Sequence, residues 1–100
     1  MSEAPEIRLK RLRMRAWRRG TKEMDLILGP WADACLAGLS PAALDRFEQL
    51  LEENDQDLYV WIVGGPYAAG GAPAILSGLI AEIGVHARAR LSAGATNGPV

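Results

Sequence analysis

Apolar residues recur at helical spacing along most of the chain, and no stretch alternates with the period of two that is typical of a strand. The pattern predicts a first helix over residues 7–19, with a narrow apolar stripe and a surface rich in arginine. A second helix is predicted to begin at Thr21 and to end at Gly38, since the apolar phase is unbroken on both sides of Pro30. These features and three further helices predict an all-α protein, a small five-helix bundle.

Capping and turn residues mark the other three helices. Ser40 and Pro41 are suited to the N-cap and first position of the third helix, and Asp55 or Asp57 is predicted to cap a short fourth helix. Residues 64–71 form a glycine-rich linker before a fifth helix that starts at Pro73. The side chains predicted to face the core in helices three to five are Leu44, Phe47, Leu50, Leu51, Leu58, Trp61, Ile62, Leu76, Leu79, Ile80 and Ile83.

The composition is that of one small globular domain, with 49% hydrophobic and 23% charged residues among 100. We expect a single helical domain over residues 7–91, with flexible tails at residues 1–6 and 92–100. No apolar run approaches the roughly 20 residues that span a bilayer, so no membrane insertion is predicted. The single cysteine excludes an internal disulfide, and no secretion signal is apparent. A cytoplasmic location is therefore expected.

Charge is distributed unevenly along the chain. Residues 1–22 carry eight basic side chains against two acidic ones, whereas residues 23–57 carry nine carboxylates against one arginine. Such an asymmetry predicts either ion pairs between helices or a surface that binds a charged partner. A nucleic-acid or regulatory partner held by the basic first helix is one alternative. However, no recognition motif accompanies that helix, and the chain has a pI near 5.8.

Candidate chemistry is sparse. The chain has one histidine, His86, and one cysteine, Cys35. A structural zinc site needs about four nitrogen or sulfur ligands, so no metal site is predicted. Without a second histidine, neither residue joins a familiar nucleophile–base pair, and both are interpreted as structural. The glycine-rich linker lacks the Gly-Lys-Ser/Thr ending of a phosphate loop. We expect no catalytic residue and no enzymatic activity.

The junction between the first two helices has more polar residues than a simple turn requires. Gly20 can adopt a positive φ at the end of one helix, and Thr21 can cap the next. Glu23 and Asp25 then lie in the first turns, where carboxylates favour the positive end of the helix dipole. A structural turn needs Gly20 and Thr21 only. The flanking Arg19 and Glu23 can pair with each other, or they can bind a partner.

The arrangement Arg19-Gly20-x-x-Glu23 between two amphipathic helices resembles the SdhE family. Downstream segments that share the resemblance are Leu50-Leu51-Glu52 and Asp57-Leu58-Tyr59-Val60-Trp61-Ile62, so that it covers residues 9–62. Members of this family are small assembly factors that promote flavinylation, the covalent attachment of FAD, of the flavoprotein subunit of succinate dehydrogenase. The resemblance weakens beyond residue 62, where only a final helix is expected.

The resemblance implies that the chain docks on the flavoprotein through six residues: Arg15, Arg18, Arg19, Gly20, Glu23 and Asp25. The reacting histidine and the FAD would both belong to the partner, and the chain would hold no cofactor stably. We expect a monomer, and we leave open whether fumarate reductase is a second client. Replacing Arg19 or Glu23 by alanine is expected to leave the fold intact and to slow flavinylation.

Overall fold

The structure is a computed structural model that describes the backbone of residues 3–64 and 71–96 and the side chains of these ranges through residue 90. Two short 3₁₀ helices, Leu36–Gly38 and Ala74–Leu76, accompany the α-helices. The α-helices are α1 (Pro5–Trp17), α2 (Lys22–Cys35), α3 (Pro41–Leu51), α4 (Asp55–Val63) and α5 (Ser77–Thr96). These ranges contain no strand, and the predicted all-α, five-helix bundle is confirmed.

Several helix bounds differ from the predicted ones. Helix α1 begins at Pro5, because proline at the first position of a helix lacks only an N–H that would have no partner there. Helix α5 continues to Thr96, so residues 92–96 are helical. The predicted linker falls largely on residues 65–70, which lie outside the described residues, as do residues 1–2 and 97–100.

Side-chain caps set the start of three helices. The backbone N–H of Met24 donates to Oγ1 of Thr21 at 3.4 Å, and that of Ala43 donates to Oγ of Ser40 at 3.2 Å, so both predicted caps are confirmed. The predicted cap of α4 is wrong. Its cap is Asn54, whose Oδ1 accepts from the N–H of Asp57 at 2.8 Å. The two aspartates lie instead in the first turn of α4, where they interact favourably with the helix dipole.

The core lies between α1, α2, α3 and α5, with α4 against α5. Every side chain predicted to face inward from α3 to α5 is buried except Leu44 and Trp61, which are half-buried and pack against the core. Trp31 of α2 stacks on Phe47 of α3 with ring centroids 5.2 Å apart, so the two rings pack α2 against α3.

Gly84 has a packing role where α5 meets α4. A Cβ at this position would lie 3.1 Å from the carbonyl oxygen of Ile62, so the glycine lets α5 approach the backbone of α4 closely.

Within the described part of the chain, no helix is both long and apolar enough to cross a bilayer.

Candidate functional site

The corner between α1 and α2, residues 18–25, has the glycine conformation that the sequence predicts. Gly20 has φ of +108°, a region that residues with a Cβ rarely adopt. Apart from Gly20 itself and its two chain neighbours, no described residue has an atom within 4 Å of the position that a Cβ on Gly20 would occupy. The backbone at the tip of the corner is therefore open to close approach from outside.

Two side chains of the corner close it from within. The backbone N–H of Arg19 donates to Oδ1 of Asp25 at 2.6 Å, and Thr21 caps α2 as described above. Asp25 therefore reaches back across the turn and satisfies a donor that no helix satisfies. Its carboxylate stabilises the corner, and its predicted contact with a partner stays a prediction.

The Arg19 side chain connects the corner to the turn between α3 and α4. Its Nε donates to Oδ1 of Asp55 at 2.7 Å, its Nη1 to the carbonyl of Leu51 at 2.6 Å, and its Nη2 to the carbonyl of Glu53 at 2.6 Å. The Arg19 side chain is only 10% exposed. It neutralises the negative end of the α3 dipole and satisfies carbonyls that helix termini leave without a partner.

This geometry gives Arg19 a positioning role. Its planar fork suits three acceptors that lie in different directions, which a lysine could not satisfy together. The corner is consequently fixed to the end of α3 and the start of α4. Each guanidinium nitrogen donates one of these three hydrogen bonds. A direct contact between Arg19 and a partner stays a prediction.

Glu23, by contrast, is exposed on the outer side of the same corner. It is the second residue of α2, and its carboxylate makes no ion pair within residues 3–64 and 71–90. Its side chain lines a shallow depression whose other lining residues are Thr21, Met24, Asp55, Gln56 and Tyr59. Glu23 can therefore meet a positive or hydrogen-bond-donating group from another molecule.

The two remaining predicted site residues are oriented differently. Arg15 donates to Oε1 of Glu52 at 3.3 Å, so it contributes to the packing of α1 on α3. Arg18 is exposed, and it makes no ion pair in the part of the chain that the structure describes. The structure thus places Arg18, Gly20 and Glu23 at the surface of the corner, and it directs Arg15, Arg19 and Asp25 toward their own chain.

The other arginines of α1 are also paired inside the molecule. Arg8 bonds Asp45 and Glu48, and Arg11 bonds Glu48, so that the basic helix lies against the acidic α3. Hydrogen bonds from Arg11 and then Arg8 hold the pKa of the Glu48 carboxyl below its ordinary value. Of the two alternatives for the charge asymmetry, pairing between helices is the one observed. Fewer positive charges then remain for nucleic-acid phosphates.

The structure adds a groove that was not predicted as part of the site. It begins at Glu23 and runs between α2, α4 and α5, lined by Leu26, Ile27, Tyr59, Val63, Ala87 and Arg90. Leu26, Tyr59 and Val63 are each 43–46% exposed, although they are large and apolar. The sequence contains one signal for it: residues 58–63 are all apolar or aromatic, more than one buried face of a helix can accommodate.

The candidate chemical groups stay isolated. Cys35 is half-buried and packs against the core, and His86 is half-buried on α5. Nδ1 of His86 is enclosed and has no hydrogen-bond partner among the described residues. Within those residues, no three histidine, cysteine, aspartate or glutamate side chains are grouped so that they could hold a metal ion.

Comparison with known proteins identifies the family. The model of the Sdh5 family, described as flavinator of succinate dehydrogenase, matches residues 10–83, which include the corner and most of the groove. This chain is a member of that family. The exposed Glu23 and the surface glycine of the corner are therefore features of an Sdh5-family protein, and so is the Arg19 side chain that fixes them.

Individual relatives agree with this assignment. Succinate dehydrogenase assembly factor 2, mitochondrial, of Mycosarcoma maydis is 43% identical over 60 residues, which are 60% of this chain and 25% of that protein. FAD assembly factor SdhE of Vibrio cholerae is 39% identical over 49 residues, which are 49% of this chain and 57% of that protein. The matched region thus spans between a quarter and just over half of these relatives. No solved structure matches the chain.

Proposed function

We propose that this chain binds the flavoprotein subunit of succinate dehydrogenase and promotes covalent attachment of FAD to it. Membership of the Sdh5 family and the names of the relatives support this function. The observation that carries it is the presentation of Glu23. Its carboxylate is exposed and unpaired among the described residues, on a corner that Arg19, Asp25 and Thr21 hold in one conformation.

The proposed action is positional. A histidine of the flavoprotein forms the bond to FAD, and both reacting groups belong to the partner. The assembly factor docks beside them through the corner and favours the arrangement of the flavoprotein in which histidine and flavin are adjacent. A corner already ordered before binding loses little conformational entropy on docking, which favours the complex.

The finer features of the function are part of the same proposal. Glu23 faces the region of the flavoprotein around the FAD, Gly20 permits close backbone approach, and Arg18 contributes positive charge at the edge of the interface. The chain acts as a cytoplasmic monomer, holds no cofactor stably and catalyses no reaction by itself. The same assay with the flavoprotein subunit of fumarate reductase tests whether that protein is a second client.

The experiment is an in vitro flavinylation reaction with purified apo-flavoprotein subunit, FAD and the full chain. Covalent flavin is measured by in-gel fluorescence over time. The wild-type chain should raise the rate, and Glu23→Gln should lower that stimulation about tenfold, because one lost charge-assisted contact costs on the order of 1.4 kcal/mol or more. The matched control is Glu82→Gln, which alters an exposed carboxylate on α5 and should leave the rate unchanged.

Two results would contradict the proposal. One is a wild-type chain that adds no covalent flavin above the reaction with FAD alone. The other is equal stimulation by wild type and Glu23→Gln at limiting concentrations of the chain.

A further inference from the structure

The outer face of α4 carries apolar side chains that no described residue covers. Leu58 and Ile62 are buried, whereas Tyr59, Val60 and Val63 are 43%, 52% and 46% exposed. Large apolar side chains scattered over a surface are ordinary, but here some of them lie together. Tyr59 and Val63 are four residues apart, so they are neighbours on the helix surface. Both line the groove described above, whereas Val60 does not.

The groove joins this part of α4 to two other helices. Leu26 of α2 and Ala87 of α5 line it together with Tyr59 and Val63, so the apolar surface is continuous across three elements. The Nη1 of Arg90 donates to the carbonyl of Leu26 at 2.9 Å, which ties α5 to α2 at this place. The groove is therefore built by packed helices.

The two charged residues of the groove differ in the contacts that they make. Arg90 and Glu23 are the two charged residues that line it. Arg90 already donates to a backbone carbonyl, whereas Glu23 has no ion pair in the described part of the chain. Glu23 and Tyr59 also line the neighbouring depression of the corner, so Glu23 lies where the groove and the depression meet.

We propose that this groove is the second half of the docking surface and receives one large apolar side chain from a segment of the flavoprotein. A lysine or arginine within about one helical turn of that side chain meets Glu23. An apolar anchor in a pocket beside a charged contact is the arrangement that dominates binding at many interfaces. The inference rests on the proposed function and specifies what part of the partner is recognised.

A second copy of this chain is the competing occupant. Ile7 and Met14 are exposed on α1 beside Lys10, so the chain itself carries apolar and basic groups side by side. Such a contact would join different surfaces of two copies and would not close on itself, which favours open chains of molecules over a defined dimer. The flavoprotein is therefore the occupant proposed.

The test compares two valines of α4. Val63→Asp places a charge in the groove, and Val60→Asp places the same charge on the same helix outside it, at similar exposure. Affinity of the full chain for purified flavoprotein subunit is measured by isothermal titration calorimetry. Val63→Asp should weaken binding about tenfold or more, and Val60→Asp should change it less than about twofold.

A second variant distinguishes weaker binding from a folding defect. Leu26→Ala removes apolar surface from the groove while it replaces a helical residue by the strongest helix former. It should weaken binding by about tenfold with unchanged helicity by circular dichroism. Wild-type affinity in both Val63→Asp and Leu26→Ala, with weakened binding by Glu23→Gln, would overturn the groove proposal and leave the proposed function standing.

The remaining outcomes are also decisive. If the wild-type chain does not bind the flavoprotein, the proposed function and the groove proposal fail together. Sedimentation velocity of the chain alone distinguishes the competing occupant. Self-association that Val63→Asp abolishes, with unchanged affinity for the flavoprotein, would assign the groove to a second copy.

Discussion

The arginines of α1 and of the corner that follows it precede Glu23 in the chain, but their side chains make different contacts from its carboxylate. Arg8, Arg11 and Arg19 bind acceptors of α3, the following turn and the start of α4. Glu23 and the groove beside it face solvent with apolar side chains exposed around them. The more heavily charged region thus joins helices of the bundle, and the less charged one leaves apolar side chains exposed to solvent.

The difference shows what charge alone can indicate. An excess of basic residues on a short helix is compatible with a phosphate-binding surface and with an acidic neighbour in the same fold. Here α3 supplies the acidic neighbour, and like-charged side chains on α1 would repel each other without it. If this comparison is correct, changes in the α1 region lower stability, whereas changes at Glu23 or Val63 lower binding.

The largest effect is expected for Arg19→Ala. Its loss leaves Asp55 without its cation and two carbonyls without a side-chain donor, which should lower the free energy of unfolding by about 2–4 kcal/mol. Arg19→Lys should recover part of this, since one ammonium group cannot reach all three acceptors. Urea denaturation followed by circular dichroism measures both. The structure therefore alters the expectation that Arg19→Ala leaves the fold intact.

Arg18→Ala is the matched control, because Arg18 is the exposed neighbour with no ion pair in the described part of the chain. It should unfold within about 0.5 kcal/mol of wild type. Equal urea midpoints for the two alanine variants would contradict the positioning role. If Arg19→Ala alone then lost affinity for the flavoprotein, Arg19 would contact the partner directly, as the sequence predicts.

Local features of the fold could be predicted from the sequence, because their causes are neighbours in the chain. Thr21 and Ser40 cap helices by bonds to residues three positions later, and the stripe of α5 follows from helical periodicity. Even here, three polar residues compete for the cap of α4, and Asn54 rather than either aspartate accepts the bond. Composition does not distinguish among such neighbours.

The candidate site could be predicted only in part. The contacts of Arg19 and the groove depend on segments that are distant in the sequence. The acceptors of Arg19 lie 32–36 residues further along the chain, and no local pattern pairs them with it. The groove likewise needs α2, α4 and α5 to be adjacent. Gly20 and Glu23 were accessible to prediction, since a motif within five residues carries both.

A smaller loss of stability is expected for Gly29→Ala. In α2 a Cβ at this position would overlap the indole ring of Trp17, which lies across the glycine and donates to Asp33. Displacing that ring should cost about 1–3 kcal/mol, although alanine has the higher helix propensity. Thermal unfolding followed by circular dichroism measures the change.

The control for Gly29→Ala is Gly78→Ala in α5, where a new Cβ would meet no described atom within 4 Å. With no steric cost, that variant should be stabilised by about 0.5–1 kcal/mol. Parallel increases in Tm for both variants would show that Trp17 does not anchor the end of α1 on α2.

The smallest effect is expected for Glu48→Gln and depends on pH. Bonds from Arg11 and Arg8 lower the pKa of Glu48 in the folded state below its ordinary value of 4.5. The stabilisation is therefore fully present above about pH 4.5 and is lost as pH falls through the lowered value.

At neutral pH the Glu48→Gln variant should lose only about 0.2–1 kcal/mol of unfolding free energy, because the carboxylate is partly exposed and screened by solvent. Its stability should then decline less than that of wild type on acidification. Urea midpoints measured from pH 7 to pH 3, with Glu82→Gln as the control, test this. Curves for wild type and Glu48→Gln that stay parallel over the acid range would show that the pairs between α1 and α3 do not contribute to stability.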